Sequence, residues 1–403
     1  MLDFVRSLNL EEKLSPVKNK EIVWFYVFLP SLICYFMILT NYINSKPIIG
    51  SIENYDSSFT NLVYPSKNIE IIANNLVNTD GLLWVQDDAA SLSYLMFSDT
   101  VLNRIYKWEE GKGMFTVGKT IYVENSGCKS NLTYCSSLNE PGSNGLLRKD
   151  SLSLDLLTCQ HGERAISLLR ENGTRSFIAT HFNHSLLNSP NDMIRSPDGH
   201  LYFTDPTDGL VDKQSLGIYN QEQSHSGVYM IRSEYLSISI QTGIPTEQVW
   251  LMDSTLDSPD GLAFSPDFSK LYVSNANHLN PIWKVYDVTD TGILKNGRVF
   301  YNASKLYSEE CQNNNKHQEI YCSNIHIGSP KGMKVDIHGN LFATGPGGVL
   351  VISPDSKLIG RFRFNQTVSN IAFGADGRLY FSIKDIIARI WIKTKPNRLV
   401  FSK

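Results

Sequence analysis

The sequence has no excess of basic residues. Its 37 Lys and Arg are outnumbered by 40 Asp and Glu, and the formal net charge is −3. Nucleic-acid binding depends on Lys and Arg that neutralise phosphates, so we expect no nucleic-acid partner. Sustained helical periodicity is also missing from the repeated segments described below, which favours an all-β body. The length of 403 residues is compatible with one large domain, because closed all-β architectures often exceed the usual domain size.

One segment lacks charge altogether. Residues 22–43 contain no Asp, Glu, Lys or Arg, and the segment is long enough to cross a hydrocarbon core of about 30 Å as a helix. Four basic residues precede it, whereas only Lys46 follows closely, so the positive-inside rule predicts a cytosolic N-terminus. The apolar run begins late, and no small-residue cleavage site follows it. We therefore predict an uncleaved signal-anchor, with a cytosolic tail (1–21), a membrane span (22–43), a linker (44–66) and a luminal or extracellular domain (67–403).

Cysteine is scarce, with six in the whole chain. Cys128 lies close to Cys135, and Cys311 lies close to Cys322, both in polar, loop-like sequence. Such pairs are typical of disulfides in an oxidising compartment. Cys159 stands in an apolar run and is predicted to be a buried thiol. Five glycosylation sequons follow the span and agree with a luminal glycoprotein; they are at Asn131, Asn172, Asn183, Asn302 and Asn365.

The body of the chain contains one unit that recurs six times. Each unit has a turn, an apolar strand, a Gly-containing turn and a second strand rich in aromatic and β-branched residues. Pairs of short strands that cannot bury a face alone close stably as a propeller. We therefore predict a six-bladed β-propeller. Its second strands are predicted to end at Asp99, His161, Asp205, Asn275, Gly345 and Ser382.

A polar residue stands at the same point of every unit, just before the first strand. Loops that enter the innermost strands of a propeller converge on its central channel, so these side chains should form a ring at one mouth. Turn chemistry alone accounts for an isolated Asp-Gly or Asn-Gly, but not for the common register. Carboxylate and amide oxygens are ligands that Ca²⁺ prefers, although a purely structural polar plug is an alternative. The six residues are Asp80, Asn144, Asn191, Asp260, Lys331 and Asn370.

The same segments resemble the gluconolactonase and regucalcin family of calcium-dependent lactonases. The resemblance spans nearly the whole body and is carried by a set of segments that together are specific for the family. It implies a six-bladed propeller with a metal in the channel mouth, and hydrolysis of lactones or related esters. The segments are FSDTVLNRIYKW, LLTCQHGERAISLL, LNSPNDMIRSPDGHLYFTDPTDGL, SPDGLAFSPDFSKLYVSNAN and GMKVDIHGNLFATGPGGVLVISPDSKLIG.

The resemblance also assigns roles to ring residues. Asp80 stands where the family has a ligand Glu, Asn191 matches a family Asn, and Asp260 falls where relatives carry an Asn ligand. These three are the predicted metal ligands. Lys331 stands where relatives carry an Asp that acts as ligand and candidate base, and an ammonium cannot do either. Lys331 can instead fill the place of the metal by donating to Asp80 and Asp260.

The alternative is a deprotonated Lys331 that acts as base or nucleophile, although the flanking carboxylates favour its charged form. Lys331 and Asp260 are therefore the candidate catalytic residues. Asn144, His161 and Asn370 are the candidate substrate contacts, and a structural role is the alternative for His161.

Two kinds of function follow from these residues. The first is a membrane-anchored hydrolase that acts on lactones or small esters, with Ca²⁺ as its cofactor. The second is a non-catalytic binding or scaffold module in which Lys331 replaces the metal. A propeller hosts unrelated activities, so the fold alone does not decide between them.

Overall fold

The protein is described here from a computed structural model. The structure describes residues 47–87, 92–111, 119–151, 153–314 and 327–397. The chain divides into two compact units, Met1–Pro47 and Ile48–Lys403, and the second contains the described strands. The predicted span 22–43 lies outside the described residues. Among those residues, no helix has both the length and the apolarity needed to cross a bilayer.

The second unit is the predicted six-bladed propeller. Each blade is an antiparallel sheet of four consecutive strands, apart from the additions described below. Each innermost strand contacts the next, and the sixth contacts the first, so the ring of blades is closed. From the innermost strand outwards, blade 1 has Thr79–Asp87, Leu92–Asp99, Arg104–Trp108 and Lys119–Glu124; blade 2 has Ser143–Arg148, Leu156–Gln160, Ala165–Leu169 and Arg175–Ala179; blade 3 has Met193–Arg195, Leu201–Asp205, Gly227–Ile231 and Trp250–Asp253. Blade 4 has Pro259–Phe264, Lys270–Asn275, Ile282–Val288 and Leu294–Asn302; blade 5 has Met333–Val335, Leu341–Gly345, Gly348–Ile352 and Leu358–Arg363; blade 6 has Val368–Phe373, Arg378–Ile383 and Ile386–Trp391.

Strands from the N-terminal side of the propeller complete its last two blades. Strand β2 (Glu70–Ala73) pairs with Ile386–Trp391 and becomes the outer strand of blade 6. Strand β1 (Ser51–Asn54) pairs with Leu358–Arg363 as a fifth strand of blade 5. The residues joined in this way are far apart in sequence, so the two strands close the circle of blades non-covalently.

Strand β1 corrects the predicted domain boundary. Residues 44–66 are predicted as a linker, but Ser51–Asn54 and the 3₁₀ helix Ser57–Asn61 pack on the propeller. Charge pairing explains the difference, because Arg361 Nε donates to Glu53 Oε2 at 2.7 Å. Phe59 adds a fully buried ring to the core. A short polar edge strand lacks the apolar alternation that identifies a strand in sequence.

Six apolar clusters hold the blades together. Each cluster contains residues from two neighbouring blades, and together they cover all six interfaces. The two middle strands of blade 5, Leu341–Gly345 and Gly348–Ile352, are buried throughout, on both faces of the sheet. This arrangement explains why single repeats do not form a core, because each blade buries its faces only against its neighbours.

Short helices and one hairpin interrupt the repeat. Among the described residues the α-helices are α1 (Leu132–Ser137), α2 (Ser233–Thr242) and α3 (Ser304–Asn314), with a second 3₁₀ helix at Asp208–Leu210. A two-stranded ribbon, His181–Phe182 with Ser185–Leu186, follows blade 2. These elements lie in the insertions that make the spacing of the repeats irregular.

The predicted cysteine chemistry is confirmed where the structure describes it. Cys128 and Cys135 form a disulfide with a Cα–Cα distance of 5.6 Å. Cys159 is a buried free thiol, and burial raises its pKa. Cys311 is also disulfide-bonded, whereas Cys322 lies outside the described residues, so that pairing stays a prediction.

Candidate active site at the channel mouth

The six predicted polar residues stand at the entry of the six innermost strands, at one end of the propeller. Hydrogen bonds to backbone carbonyls link the strand entry of each blade to that of the next. Ser98 Oγ donates to the carbonyl of Asn144 at 2.8 Å, and Gly145 N donates to the carbonyl of Asn191 at 2.7 Å. Across the remaining interfaces, Thr204 Oγ1 donates to Asp260 O at 2.6 Å and Ser274 Oγ donates to Lys331 O at 2.8 Å; Gly332 N donates to Ser369 O at 2.9 Å and Ser369 Oγ donates to Thr79 O. These contacts join the six strand entries into a closed circle, and the roles of the six side chains stay predictions.

Hydroxyl groups that the sequence analysis did not single out hold this ring. Ser98, Thr204 and Ser274 are the penultimate residues of the second strands of blades 1, 3 and 4, and all are fully buried. Each donates to a ring carbonyl in the following blade. Cys159 is the penultimate residue of the corresponding strand in blade 2. Cys159 is buried because every residue at this position of the repeat named here is buried between blades.

The glycines that follow ring residues are required by close packing rather than by turns. A Cβ on Gly81 would lie 1.9 Å from the carbonyl oxygen of Asn144, and one on Gly261 would lie 2.4 Å from that of Lys331. Of the four glycines that directly follow a ring residue, only Gly81 has a positive φ. The turn explanation of Asp-Gly and Asn-Gly therefore does not apply to most of these positions.

Asp80 and Asn370 form a buried pair across the interface of blades 1 and 6. Asn370 Nδ2 donates to Asp80 Oδ1 at 2.9 Å, and Gly81 N donates to the same oxygen at 2.7 Å. Asn144 is buried as well, and its Oδ1 has no hydrogen-bond partner among the described residues. Asn370 thus orients a carboxylate, whereas Asn144 Oδ1 is buried and unpaired within the described part of the chain.

Lys331 and Asp260 form the second pair of ring side chains. Lys331 Nζ lies 3.4 Å from Asp260 Oδ2, and the Lys331 side chain is 26% exposed against 2% for Asp260. Burial alone would lower the pKa of Lys331, but the Asp260 carboxylate, followed by Asp80, Asp208 and Glu140, raises that pKa by more. Burial raises the pKa of Asp260, and Lys331 opposes this shift. Lys331 therefore keeps its proton and faces a carboxyl group that is more basic than usual.

His161 lies beside the mouth as a neutral imidazole. It follows the strand Leu156–Gln160, one residue beyond the structure's strand end, and it is buried. Its Nδ1 is 3.2 Å from the carbonyl of Glu140, and Nε2 has no partner among the described residues. Burial lowers its pKa, although Glu140, Asp208 and Asp80 oppose this. Gly209 packs on the imidazole of His161, since a Cβ on Gly209 would lie 2.4 Å from His161 Cγ.

Two insertions are hydrogen-bonded to each other beside His161. Asn139 N donates to Val211 O and Lys213 N donates to Ser137 O, both at 2.8 Å, which joins the loop after blade 1 to the loop within blade 3. The Cys128–Cys135 disulfide lies in the first loop. A Cβ on Gly162 would lie 2.3 Å from Cys128 Sγ, so the disulfide packs next to His161. The sequence shows the cysteines and glycines of these loops, but it does not show that the two loops are hydrogen-bonded to each other.

Three acidic residues near the ring were missed by the sequence analysis. Glu140 and Asp208 lie in the two insertions and act electrostatically on Lys331. Asp192 is buried next to Asn191, and its carboxylate accepts from Met193 N at 2.8 Å and Leu262 N at 3.2 Å. It therefore ties blade 3 to blade 4. Nothing in the sequence distinguishes Glu140 or Asp208 from ordinary loop acids.

The comparisons with known proteins agree with this architecture. The family described as SMP-30/Gluconolactonase/LRE-like region matches residues 78–383. The chain belongs to this family. Within the SMP-30/gluconolactonase family, the chain is 30% identical over 351 residues to a gluconolactonase from Zymomonas mobilis, covering 86% of this chain and 87% of the relative.

Solved structures of relatives share the fold. A gluconolactonase from Xanthomonas campestris has a TM-score of 0.64 at 23% identity, with 87% of this chain and 99% of that chain covered. A calcium-binding protein, regucalcin, from Agrobacterium tumefaciens has a TM-score of 0.52 at 14% identity, with 81% and 94% covered. At these identities the likeness concerns the fold alone. The predicted family and the six-bladed propeller are confirmed.

The ring does not suit the calcium ion that the family resemblance implies. Ca²⁺ binds six to eight oxygens, and Asp80, Asn144, Asn191 and Asp260 supply oxygens of the right kind. The Lys331 ammonium, however, lies against the buried oxygen of Asp260 that has no hydrogen-bond partner. In the described part of the chain, no group of three or more His, Cys, Asp or Glu side chains is arranged to hold a metal. A divalent cation and the protonated Lys331 would compete for Asp260.

Proposed function

We propose that this member of the SMP-30/gluconolactonase family hydrolyses lactones or small esters at the channel mouth. The observation that carries the proposal is the Lys331–Asp260 pair within the closed polar ring, with Nζ and Oδ2 3.4 Å apart. Lys331 is the most exposed member of the ring, so a ligand that enters the mouth meets it first. The relative from Zymomonas mobilis that supports this substrate class is a gluconolactonase.

The two groups have complementary roles in this proposal. The Lys331 ammonium donates a hydrogen bond to the carbonyl oxygen of the substrate and stabilises the negative charge that develops there. Asp260, made more basic by burial, accepts a proton from the attacking water and returns it to the leaving ring oxygen. The bond between the carbonyl carbon and the ring oxygen breaks, and a hydroxy acid is released. Asn144 Oδ1, which has no partner among the described residues, is an acceptor for a substrate hydroxyl.

The test is a hydrolysis assay with the full-length chain in detergent. The substrates are a γ-lactone, a δ-lactone and an aryl acetate, each measured with and without a chelator. We expect turnover that Lys331→Met and Asp260→Asn each reduce by about 100-fold or more, the size of effect expected when an oxyanion donor or a general base is removed. Asp198→Asn is the control, because this exposed acid lies in the turn at the opposite end of blade 3.

A binding module is the second candidate function, and the same ion pair favours it. Lys331 and Asp260 can satisfy each other's charge without any reaction. In that case no substrate is hydrolysed, while lactones still raise the melting temperature of the wild type and fail to do so in Lys331→Met. Such a result would contradict the hydrolase proposal.

We propose further that the protein is a single-pass membrane glycoprotein with its propeller in the lumen or outside the cell. The Cys128–Cys135 disulfide supports an oxidising compartment. All five sequon asparagines are exposed, as glycosylation requires; they are Asn131, Asn172, Asn183, Asn302 and Asn365. Protease treatment of intact microsomes should leave the propeller protected, and an N-glycosidase should lower its apparent mass. Digestion without detergent would refute this topology.

A further inference from the structure

The backbone of Lys331 is fixed from two sides, so its side chain begins at a defined point of the ring. Thr344 Oγ1 accepts from Lys331 N at 3.0 Å within blade 5. Ser274 Oγ of blade 4 donates to Lys331 O at 2.8 Å, and Gly261 packs on that carbonyl without room for a Cβ. A residue at this position cannot move away from the channel without separating two blades.

The ammonium of Lys331 is the partner of a buried charge. Asp260 is almost completely buried, and its Oδ2 accepts no hydrogen bond from the described residues. Lys331 Nζ lies 3.4 Å from that oxygen. A buried carboxylate oxygen without a hydrogen-bond donor is costly unless a cation lies nearby, and Lys331 supplies that cation.

The surroundings of Lys331 are otherwise acidic. Asp260, Asp80, Asp208 and Glu140 all act on it as negative charges, and they come from four different segments of the chain. In a site of this kind a cation is expected at the centre. Here the covalently attached Lys331 ammonium, 3.4 Å from Asp260 Oδ2, is the cation on which these acids act.

We propose that Lys331 takes the place of a divalent cation, so that this channel mouth is complete without a bound metal. The inference deepens the proposed function and rests on it only for the role of the ammonium in hydrolysis. A divalent ion at Asp260 would stand beside the fixed positive charge of Lys331, and the repulsion between them opposes binding. Removing the ammonium leaves two ring carboxylates, Asp80 and Asp260, without a counter-charge.

Calcium binding by a series of Lys331 variants tests the proposal. The full-length chain is purified in detergent, stripped with a chelator and titrated with calcium, and binding is followed by calorimetry and by the melting temperature. We expect no shift for the wild type or Lys331→Arg, because both keep the positive charge. Lys331→Met should gain binding, and Lys331→Asp should bind at least about tenfold more tightly than Lys331→Met, since it adds a carboxylate.

The matched control is Lys384→Asp. Lys384 is exposed in the turn between Arg378–Ile383 and Ile386–Trp391, at the same end of the propeller, and the charge change is identical. It should not create calcium binding, because it is not a member of the ring. If Lys331→Asp fails to fold, Lys331→Met still tests the idea, since a neutral side chain of similar length adds no charge.

Two results would overturn the inference. One is a wild-type protein that carries a tightly bound calcium and loses melting temperature when the metal is removed. The other is a folded Lys331→Asp or Lys331→Met protein that binds calcium no better than Lys384→Asp. These readouts do not depend on turnover. A calcium-binding switch without any lactone hydrolysis would refute the proposed function alone.

Discussion

Replacing Asp205 by Asn should stabilise the propeller at neutral and alkaline pH and leave it almost unchanged in acid. Asp205 ends the second strand of blade 3 and is fully buried. Its Oδ2 accepts from Asn188 N at 2.8 Å, but Oδ1 has no hydrogen-bond partner among the described residues. Burial raises its pKa to about 7, and the Asn188 N–H and the Arg164 charge only partly oppose this.

The magnitude follows from the difference between the folded and unfolded pKa values. The pKa of Asp205 is about three units higher in the folded protein than its usual 3.8, and each unit corresponds to about 1.4 kcal/mol. The stabilising effect of the bound proton is fully present below pH 3.8 and is lost as pH rises to about 7. The free energy of unfolding should thus fall by up to about 4 kcal/mol across this window relative to Asp205→Asn. An amide stays neutral, so the variant does not lose this contribution.

The assay is denaturant unfolding of the full-length chain in detergent at a series of pH values. The control is Asp99→Asn, at the same position of blade 1. Asp99 accepts hydrogen bonds from Val77 N, Asn78 N and Leu102 N, so replacing part of its acceptor capacity should destabilise the protein by about 1–3 kcal/mol. The reasoning about Asp205 is refuted if Asp205→Asn and wild type show the same pH dependence, or if the variant is less stable at pH 8.

Two further predictions concern the mouth. Gly209→Ala should lower the melting temperature and abolish any shift of that temperature by a lactone, because its Cβ would overlap the imidazole of His161. Gly217→Ala is the control on the same loop. Its Cβ would meet only Ser215 Oγ, at 3.5 Å, so this variant should behave as wild type. Asn370→Asp would place a second carboxylate about 2.9 Å from Asp80; it should be close to wild type in acid and lose stability as pH rises, since two adjacent carboxyl groups cannot both ionise without repulsion. Thermal melts at several pH values check both.

Much of the fold was predictable because a propeller repeats. The six units share one pattern of apolar strands and turns, and the pattern alone indicated six blades. The same register placed Asp80, Asn144, Asn191, Asp260, Lys331 and Asn370 at one mouth. The structure places the six at neighbouring strand entries, with side-chain contacts between Asn370 and Asp80 and between Lys331 and Asp260, and their functional roles stay predictions.

Other features were not predictable, since they depend on contacts that have no repeating pattern. Strand β1 looks like a polar linker in sequence, and only its pairing with Leu358–Arg363 and the Glu53–Arg361 contact show it to be part of blade 5. The glycines after ring residues look like turn residues, but close packing between blades requires them. A local sequence pattern does not tell how close two blades approach each other, and these features depend on that approach.

The sequence by itself determined the number of blades and the common register of six polar residues, one of which is a lysine. Only the tertiary structure decided what that lysine does. Closing the circle of blades brings Lys331 to 3.4 Å from Asp260, and Asp80, Asp208 and Glu140 then also act on it as negative charges. The sequence gives the charge of each residue. The energy of that charge depends on its distance from other charges and on its burial, and the folded chain sets both.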